Sequence, residues 1–181
     1  NFFEIDTSLL RVVKQVSLPV NVAGANSRAT QPFSIASLAD GSVMMVVGSD
    51  GLPNDVVVLY DPSTGSFTRP TLPPGLSLAY HSTVQSSPDQ QHVYLLTPNL
   101  FRYDLASHAF TGPAVLNSTP VSIAVRPDSS GIAVLLNNSQ IATLDANFNT
   151  ISTYTDSLYF PSSLVYSSDG TRLNFSGKAI G

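Results

Sequence analysis

Residues 120–145, PVSIAVRPDSSGIAVLLNNSQIATLD, hold three short apolar runs separated by an Asp-Ser-Ser-Gly turn and an Asn-Asn-Ser turn, and they close on Leu144-Asp145. Each run has strand length and is rich in Val, Ile, Leu and Thr, residues that suit a pleated, half-buried surface. Much of the remaining chain copies this unit. Aligning Asp40, Asp89, Asp128 and Asp169 as one column gives spacings of 49, 39 and 41 residues. Eight positions upstream stand Pro32, His81, Pro120 and Pro161. Six upstream stand Ser34, Thr83, Ser122 and Ser163, each followed by an aliphatic residue (Ile35, Val84, Ile123, Leu164). A second column closes the third run of each unit: Ile5-Asp6, Tyr60-Asp61, Tyr103-Asp104 and Leu144-Asp145. Each of these aspartates opens a turn, as in Asp61-Pro-Ser-Thr-Gly65, where Asp and Ser side chains can bond backbone two residues on and Gly can take positive φ.

Every complete unit therefore reads as four strands, placed in the unit just quoted at 121–126, 132–136, 140–144 and about 150–154. No segment keeps apolar residues at helical spacing for ten positions, so helices are not expected. The runs Val43–Val47, Val56–Tyr60 and Ile132–Leu136 are apolar on both faces, which demands a sheet covered on both sides. Four-stranded sheets of about 40 residues stacked face to face meet that demand, and this is the β-propeller architecture. In chain order the reading is half plus three plus half within a single all-β domain: residues 1–20 give the second half of a blade, 32–75, 77–118 and 120–158 give blades two, three and four, and 161–181 give the first half of another. The terminal halves could pair and close a ring of four; the preferred reading is a slice of a larger propeller. An open slice leaves apolar faces and strand edges exposed, so a completing segment or a homo-oligomer is expected.

The opening Pro120-Val-Ser-Ile-Ala-Val-Arg-Pro-Asp128 and the closing Leu144-Asp145 followed by Ile151 resemble the YVTN and WD-like propeller repeats. The likeness covers nearly the whole chain and defines a blade, not a function. Blade three departs from it at His81, in place of Pro, and at Gln85, in place of Ala.

Composition narrows the function classes. With 181 residues and 43% hydrophobic composition the chain can fill a core, but only 11% is charged and Lys14 and Lys178 are the only lysines. A net charge of −4 and a pI near 5.0 leave no basic stripe for a phosphate backbone, so no nucleic-acid partner is expected. No apolar run reaches the length of a membrane helix, and no signal-peptide layout opens the chain. The absence of an initial Met fits a processed product or a piece of something longer. Cysteine is absent, which removes disulfides and thiolate zinc sites. The lysine-poor, hydroxyl-rich composition points to an extracellular, cell-surface or periplasmic location. The sequons at Asn117, Asn137 and Asn174 matter only in a eukaryotic secretory protein.

No nucleophile elbow, zinc motif, phosphate loop or dinucleotide fingerprint is present. Of twelve acids, eight belong to the two turn columns, leaving Glu4, Asp50, Asp55 and Asp156. Function is expected where residues leave their columns. In a propeller the first-strand starts and the loops joining second to third strands share one face. His81 occupies such a start and suits ligand binding or base chemistry near neutral pH, although a solvent-facing loop His is the bland reading. Blade two carries an insertion on the same face, Gly48–Asp55, whose Asp50, Asn54 and Asp55 offer oxygens that calcium could use but are also ordinary turn formers. Arg28 in the linker at 20–31, together with Tyr80 and Tyr159, completes the face; strand packing is the alternative for the tyrosines. Neither catalytic residues nor a cofactor are assigned. The expected function is a binding or interaction module for a protein, small-molecule or glycan ligand. The alternative is a fragment of a lactonase-like, lyase-like or quinone-dependent propeller enzyme. Blade four, which follows the repeat most closely, is where least function is expected.

Overall fold

The computed structural model describes residues 2–18, 31–48, 55–78, 82–155 and 161–177. Within them the chain is all-β, with sixteen strands arranged as one two-stranded sheet, three four-stranded antiparallel sheets and a second two-stranded sheet. The first half-blade is β1 (Phe2–Asp6) and β2 (Arg11–Val16). Blade two is β3 (Gln31–Ser37), β4 (Val43–Gly48), β5 (Val56–Asp61) and β6 (Ser66–Thr68). Blade three is β7 (Thr83–Ser86), β8 (His92–Leu96), β9 (Leu100–Asp104) and β10 (Ala109–Thr111). Blade four is β11 (Pro120–Val125), β12 (Gly131–Leu136), β13 (Gln140–Asp145) and β14 (Thr150–Thr155). The last half-blade is β15 (Pro161–Tyr166) and β16 (Leu173–Gly177). In each whole blade the strands pair in sequence order, the simple up-and-down meander that short turns allow.

The two-sided apolar runs become the middle strands. Every residue of β12 is buried, whereas every residue of β14 is exposed, so burial falls from the inside of a blade to its outer edge. Strand alternation divides the middle strands between two neighbours. Met45, Val47 and Val58 pack toward the first half-blade with Val16 and Tyr60, while Met44, Val46 and Val57 join Val93, Leu95, Phe101 and Tyr103 of blade three. In the next seam Tyr94, Leu96 and Leu100 meet Ile132, Val134, Leu136 and Leu144. Ala133, Leu135 and Ile141 then meet Leu164, with Leu173 and Phe175 packed alongside. The core is thus four thin slabs between sheets, with no single centre.

One deviation was not evident from the columns. Ile35 pairs with Met45, ten residues on, whereas Val84 pairs with Leu95, Ile123 with Val134 and Leu164 with Phe175, each eleven residues on. The first turn of blade two is one residue shorter, and β4 is therefore shifted by one against the Asp column. Its apolar character on both faces makes that shift tolerable, because neither parity exposes a hydrophobic residue.

Candidate functional site

The turn aspartates are occupied by their own turns. Asp40, Asp89, Asp128 and Asp169 each accept the N–H two residues on, from Ser42, Gln91, Ser130 and Thr171. In the second turn column Asp6, Asp61 and Asp145 do the same, accepting from Ser8, Ser63 and Asn147, while Asp104 accepts the N–H three residues on, from Ser107. Hydroxyls add to this: Ser63 and Thr64 donate to Asp61, and Ser167 and Thr171 donate to Asp169. These donors hold both carboxyls down to about 2, led by the Ser63 hydroxyl at Asp61 and the Ser167 hydroxyl at Asp169. Gly65 takes φ of +70° to close the Asp61 turn, as its sequence implied.

The hydroxyl column of the first strands has a structural use as well. Ser34 Oγ accepts the Val84 N–H at 3.0 Å and donates to the Val84 carbonyl at 3.2 Å, tying β3 to β7 across the blade boundary. Ser86 Oγ donates to the Ser37 carbonyl at 2.6 Å in the same seam. First strands that run side by side at the inner edge leave little room between backbones, and a short hydroxyl spans that gap. Gln85, one of the departures from the repeat, lines a cavity of about 260 Å³ with Pro127, Leu164, Tyr166 and Ser168, where β7, β11 and β15 converge.

Of the residues singled out for the ligand face, Arg28, Asp50, Asn54, Tyr80, His81 and Tyr159 lie outside the described residues. Asp55 is described, and it is buried at the start of β5. Its carboxylate sits against Gly48: a Cβ on Gly48 would run into Asp55 Oδ1 and the Phe33 ring. Position 48 is therefore glycine because an acid and an aromatic close over it. Among the described residues no three His, Cys, Asp or Glu side chains gather as a metal site.

The same face in blade four carries a group that the repeat reading passed over. Asn117 Nδ2 donates to Gln140 Oε1 at 2.5 Å, and Asn138 Nδ2 donates to the same oxygen at 3.1 Å. Gln140 Nε2 donates to Thr155 Oγ1 at 3.3 Å, and Ser118 Oγ donates to Asn137 Oδ1. The linker before β11, the turn between β12 and β13 and the end of β14 thereby meet in one neutral set of amides and hydroxyls, in which Asn117, Asn137, Asn138 and Thr155 are exposed and Ser118 and Gln140 half-buried. The available signal was the coincidence of Asn117-Ser118 with Asn137-Asn138-Ser139-Gln140 on adjacent loops of one blade face.

Two histidines outside the ligand face also have partners. His92 is half-buried, with Nδ1 3.2 Å from Asp104 Oδ2. His108 is exposed in its turn, with Nδ1 3.1 Å from the Tyr103 hydroxyl. Between blades three and four, Arg102 lies in a groove of about 400 Å³. Its Nη1 donates to the Ala146 carbonyl and its guanidinium stands 5.8 Å from the Phe148 ring centre.

No family model matches the chain, and no curated protein matches it. Among solved structures, the chain is similar to TolB from Acinetobacter baumannii, a β-propeller protein, with a TM-score of 0.57 and 19% identity over 77% of this chain and 36% of that one. The chain spans about a third of that structure's length. At this identity the likeness bears on architecture alone: the chain has an all-β propeller fold of four-stranded antiparallel blades, half plus three plus half.

Proposed function

We propose that this chain is a propeller-type interaction module of YVTN-like blades, working outside the cytoplasm. Its ligand face bears Arg28, Asp50, Asp55, Tyr80, His81 and Tyr159, together with the Asn117, Asn138 and Gln140 amides. The observation that carries this reading is the contrast between two sets of polar groups. The turn aspartates are taken up by their own backbone and neighbouring hydroxyls, whereas in blade four the Asn117 and Asn138 amides converge on Gln140 and Gln140 reaches Thr155, with Asn138 Oδ1 also accepting the Gln140 backbone N–H. Neutral amides and hydroxyls present both donors and acceptors, the chemistry that recognises a hydroxyl-rich ligand. A glycan is therefore the ligand class favoured among protein, small-molecule and glycan. The low charge of the chain fits a ligand held without strong ionic contacts.

A glycan array probed with the fluorescently labelled chain tests the proposal. Binding to a defined set of glycans is expected, reduced at least tenfold in His81→Ala or in Asn117→Ala combined with Gln140→Ala, with the unfolding midpoint unchanged. An empty array, or binding that survives all three substitutions, sinks the reading.

A further inference from the structure

The groove between blades three and four brings together two residues that leave the pattern of the repeat. Two positions before the turn Asp the whole blades have Leu59, Arg102 and Thr143. Each pairs with its second strand at the same register, Leu59 with Met44, Arg102 with Tyr94 and Thr143 with Ala133, so the three share one structural position. In blade two that position is apolar, and Leu59 packs onto blade three. In blade three it sends a guanidinium toward blade four, at the outer end of the slab that contains Tyr94, Leu96 and Leu100. The second departure is Phe148. The turn type imposes a left-handed backbone, as at Gly65 and His108, but in blade four a large ring takes φ of +67°. A bulky side chain held in that conformation points to a function for its position. The ring lies 5.8 Å from the guanidinium and 6.3 Å from the Tyr94 ring.

Arg102 carries a charge that its neighbours do not neutralise. The residue is half-buried; Nη1 donates to the Ala146 carbonyl, and Nε is buried without a partner. Among the described residues no carboxylate stands within ion-pair distance of the guanidinium, and Nη2 bonds none of them. The turn carboxylates of the two blades are engaged elsewhere, Asp104 by Ser107 and His92 and Asp145 by Asn147 and Asn149. A charge drawn partly out of water is ordinarily paired, so this guanidinium lacks the counter-ion that its position calls for. The groove also offers an apolar wall. The Ala114 N–H bonds the Leu100 carbonyl at 2.9 Å and draws the linker after β10 onto β9, which leaves Val115, 89% exposed, at the rim. Pro113, Val115 and Phe148 line one cavity with Arg102, and its volume of about 400 Å³ is that of a small-ligand site.

We propose that this groove binds a carboxylate: Arg102 Nη2 takes the carboxylate, and an apolar or aromatic body carried by the ligand lies along Pro113, Val115 and Phe148. One guanidinium matches one negative charge. A dianion such as a phosphate monoester would need a second cation, and among the described lining residues Arg102 is the only one, with Asp104 and Asp145 close by to oppose further negative charge. A free organic acid and the C-terminal carboxylate of a peptide share this chemistry. The groove adjoins the end of β13 opposite to Gln140, so the site is separate from the amide cluster of blade four.

Isothermal titration of the full chain with N-acetylphenylalanine, its amide and phenyl phosphate tests the proposal. The acid should bind, the amide should bind about tenfold more weakly because it offers no ionised acceptor, and phenyl phosphate should bind no better than the acid. Arg102→Gln should weaken the acid about tenfold. Because Arg102 also fastens the seam, the exposed rim supplies a second variant. Val115→Asp should weaken the acid severalfold with an unchanged unfolding midpoint, and Val115→Lys should strengthen it. A peptide ending in Phe, with its terminus free or amidated, identifies the source: tighter binding of the free-ended peptide than of N-acetylphenylalanine assigns the groove to a chain terminus, and the reverse order to a small acid. No binding of the acid at millimolar concentration, equal binding of acid and amide, stronger binding of phenyl phosphate, or an affinity unchanged in either Arg102→Gln or Val115→Asp overturns the proposal.

Discussion

The two seams that flank blade three are held by the same kind of apolar slab but fastened at opposite ends. Between blades two and three, Phe101 and Tyr103 of β9 press on Met44, Val46 and Val57, and the fastening is at the inner edge, where Ser34 and Ser86 bond the backbone of the neighbouring blade. Between blades three and four the apolar contact is mainly aliphatic, with Ile132, Val134, Leu136 and Leu144 against Tyr94, Leu96 and Leu100. There the main fastening is on the side of the outer turn, where Arg102 reaches from β9 to the Ala146 carbonyl and lies over Phe148, with a longer contact of 3.4 Å from the Asp89 N–H to Ser129 Oγ between the first turns of the two blades. A slab of apolar side chains fixes the spacing of two sheets without fixing their slide or splay. Directional polar contacts supply that constraint.

Truncating the slab itself gives the largest effect. Tyr103 is buried, packs edge-on against Phe110 and has its hydroxyl beside His108, so Tyr103→Ala should cost about 3–5 kcal/mol by urea unfolding. Leu144→Ala in the other seam should cost about 2–5 kcal/mol. If the seams are independent, the double variant loses the sum to within about 0.5 kcal/mol. A clear excess or shortfall would show that blade three transmits strain from one seam to the other.

The polar fastenings come next and distinguish the seams more sharply. Arg102→Ala removes a charged hydrogen bond to Ala146 and the contact with Phe148, for an expected loss of about 2 kcal/mol. Arg102→Lys should recover only part of it, since an ammonium has no planar face to lay on the ring. Ser34→Ala should cost less, about 1 kcal/mol, because Ser34 is only half-buried and solvent can take over the Val84 N–H. Equal losses for Arg102→Ala and Ser34→Ala would break the distinction drawn between the seams.

What the sequence made legible is the part of this design that repeats. The turn aspartates, the hydroxyl column and the two-sided apolar runs recur at fixed spacing, so strands β11 to β14 could be placed to within a residue or two from Pro120–Asp145 alone. The partners of those repeated residues were not legible. Ser34 finds Val84 fifty positions away and Arg102 finds Ala146 forty-four away, and a column records only that a residue type recurs, not what it touches. The shortened turn of blade two escaped for another reason. Asp40 keeps its place relative to Ser34, and the missing residue follows it in a strand whose faces are both apolar, so no pattern reports the shift. On the ligand face, reasoning from departures pointed to His81 and the Asp50–Asp55 insertion; the amide cluster of blade four lies in the unit that conforms best, where departures were not sought.

The smallest effect separates turns from seams. The Asp61 and Asp169 carboxyls are held at about 2, below the ordinary value of 3.8, by hydrogen bonds that only the ionised form accepts in full. A carboxyl whose folded value is depressed contributes stability that is fully present above the unfolded value and disappears as pH falls through the folded one. The urea midpoint should therefore hold steady down to about pH 4 and fall between about pH 4 and pH 2. Both groups are exposed, so each contribution is reduced by solvent screening and the fall is gradual. Asp61→Asn keeps an acceptor for the Ser63 N–H but cannot titrate, and should flatten that fall while lowering the midpoint slightly at pH 7. The test of the contrast is to repeat the titration in Arg102→Ala. Asp104 is a turn carboxyl that Arg102 itself helps to hold low, after the Ser107 N–H, so its small share of the acid limb should be lost with Arg102. Asp61 and Asp169 lie outside both seams flanking blade three, and their share of the limb should move down as a whole and keep its shape. A change that persists when Asp104→Asn is combined with Arg102→Ala would mean that these turns and the Arg102 fastening are coupled, and that the blades unfold in acid as one unit.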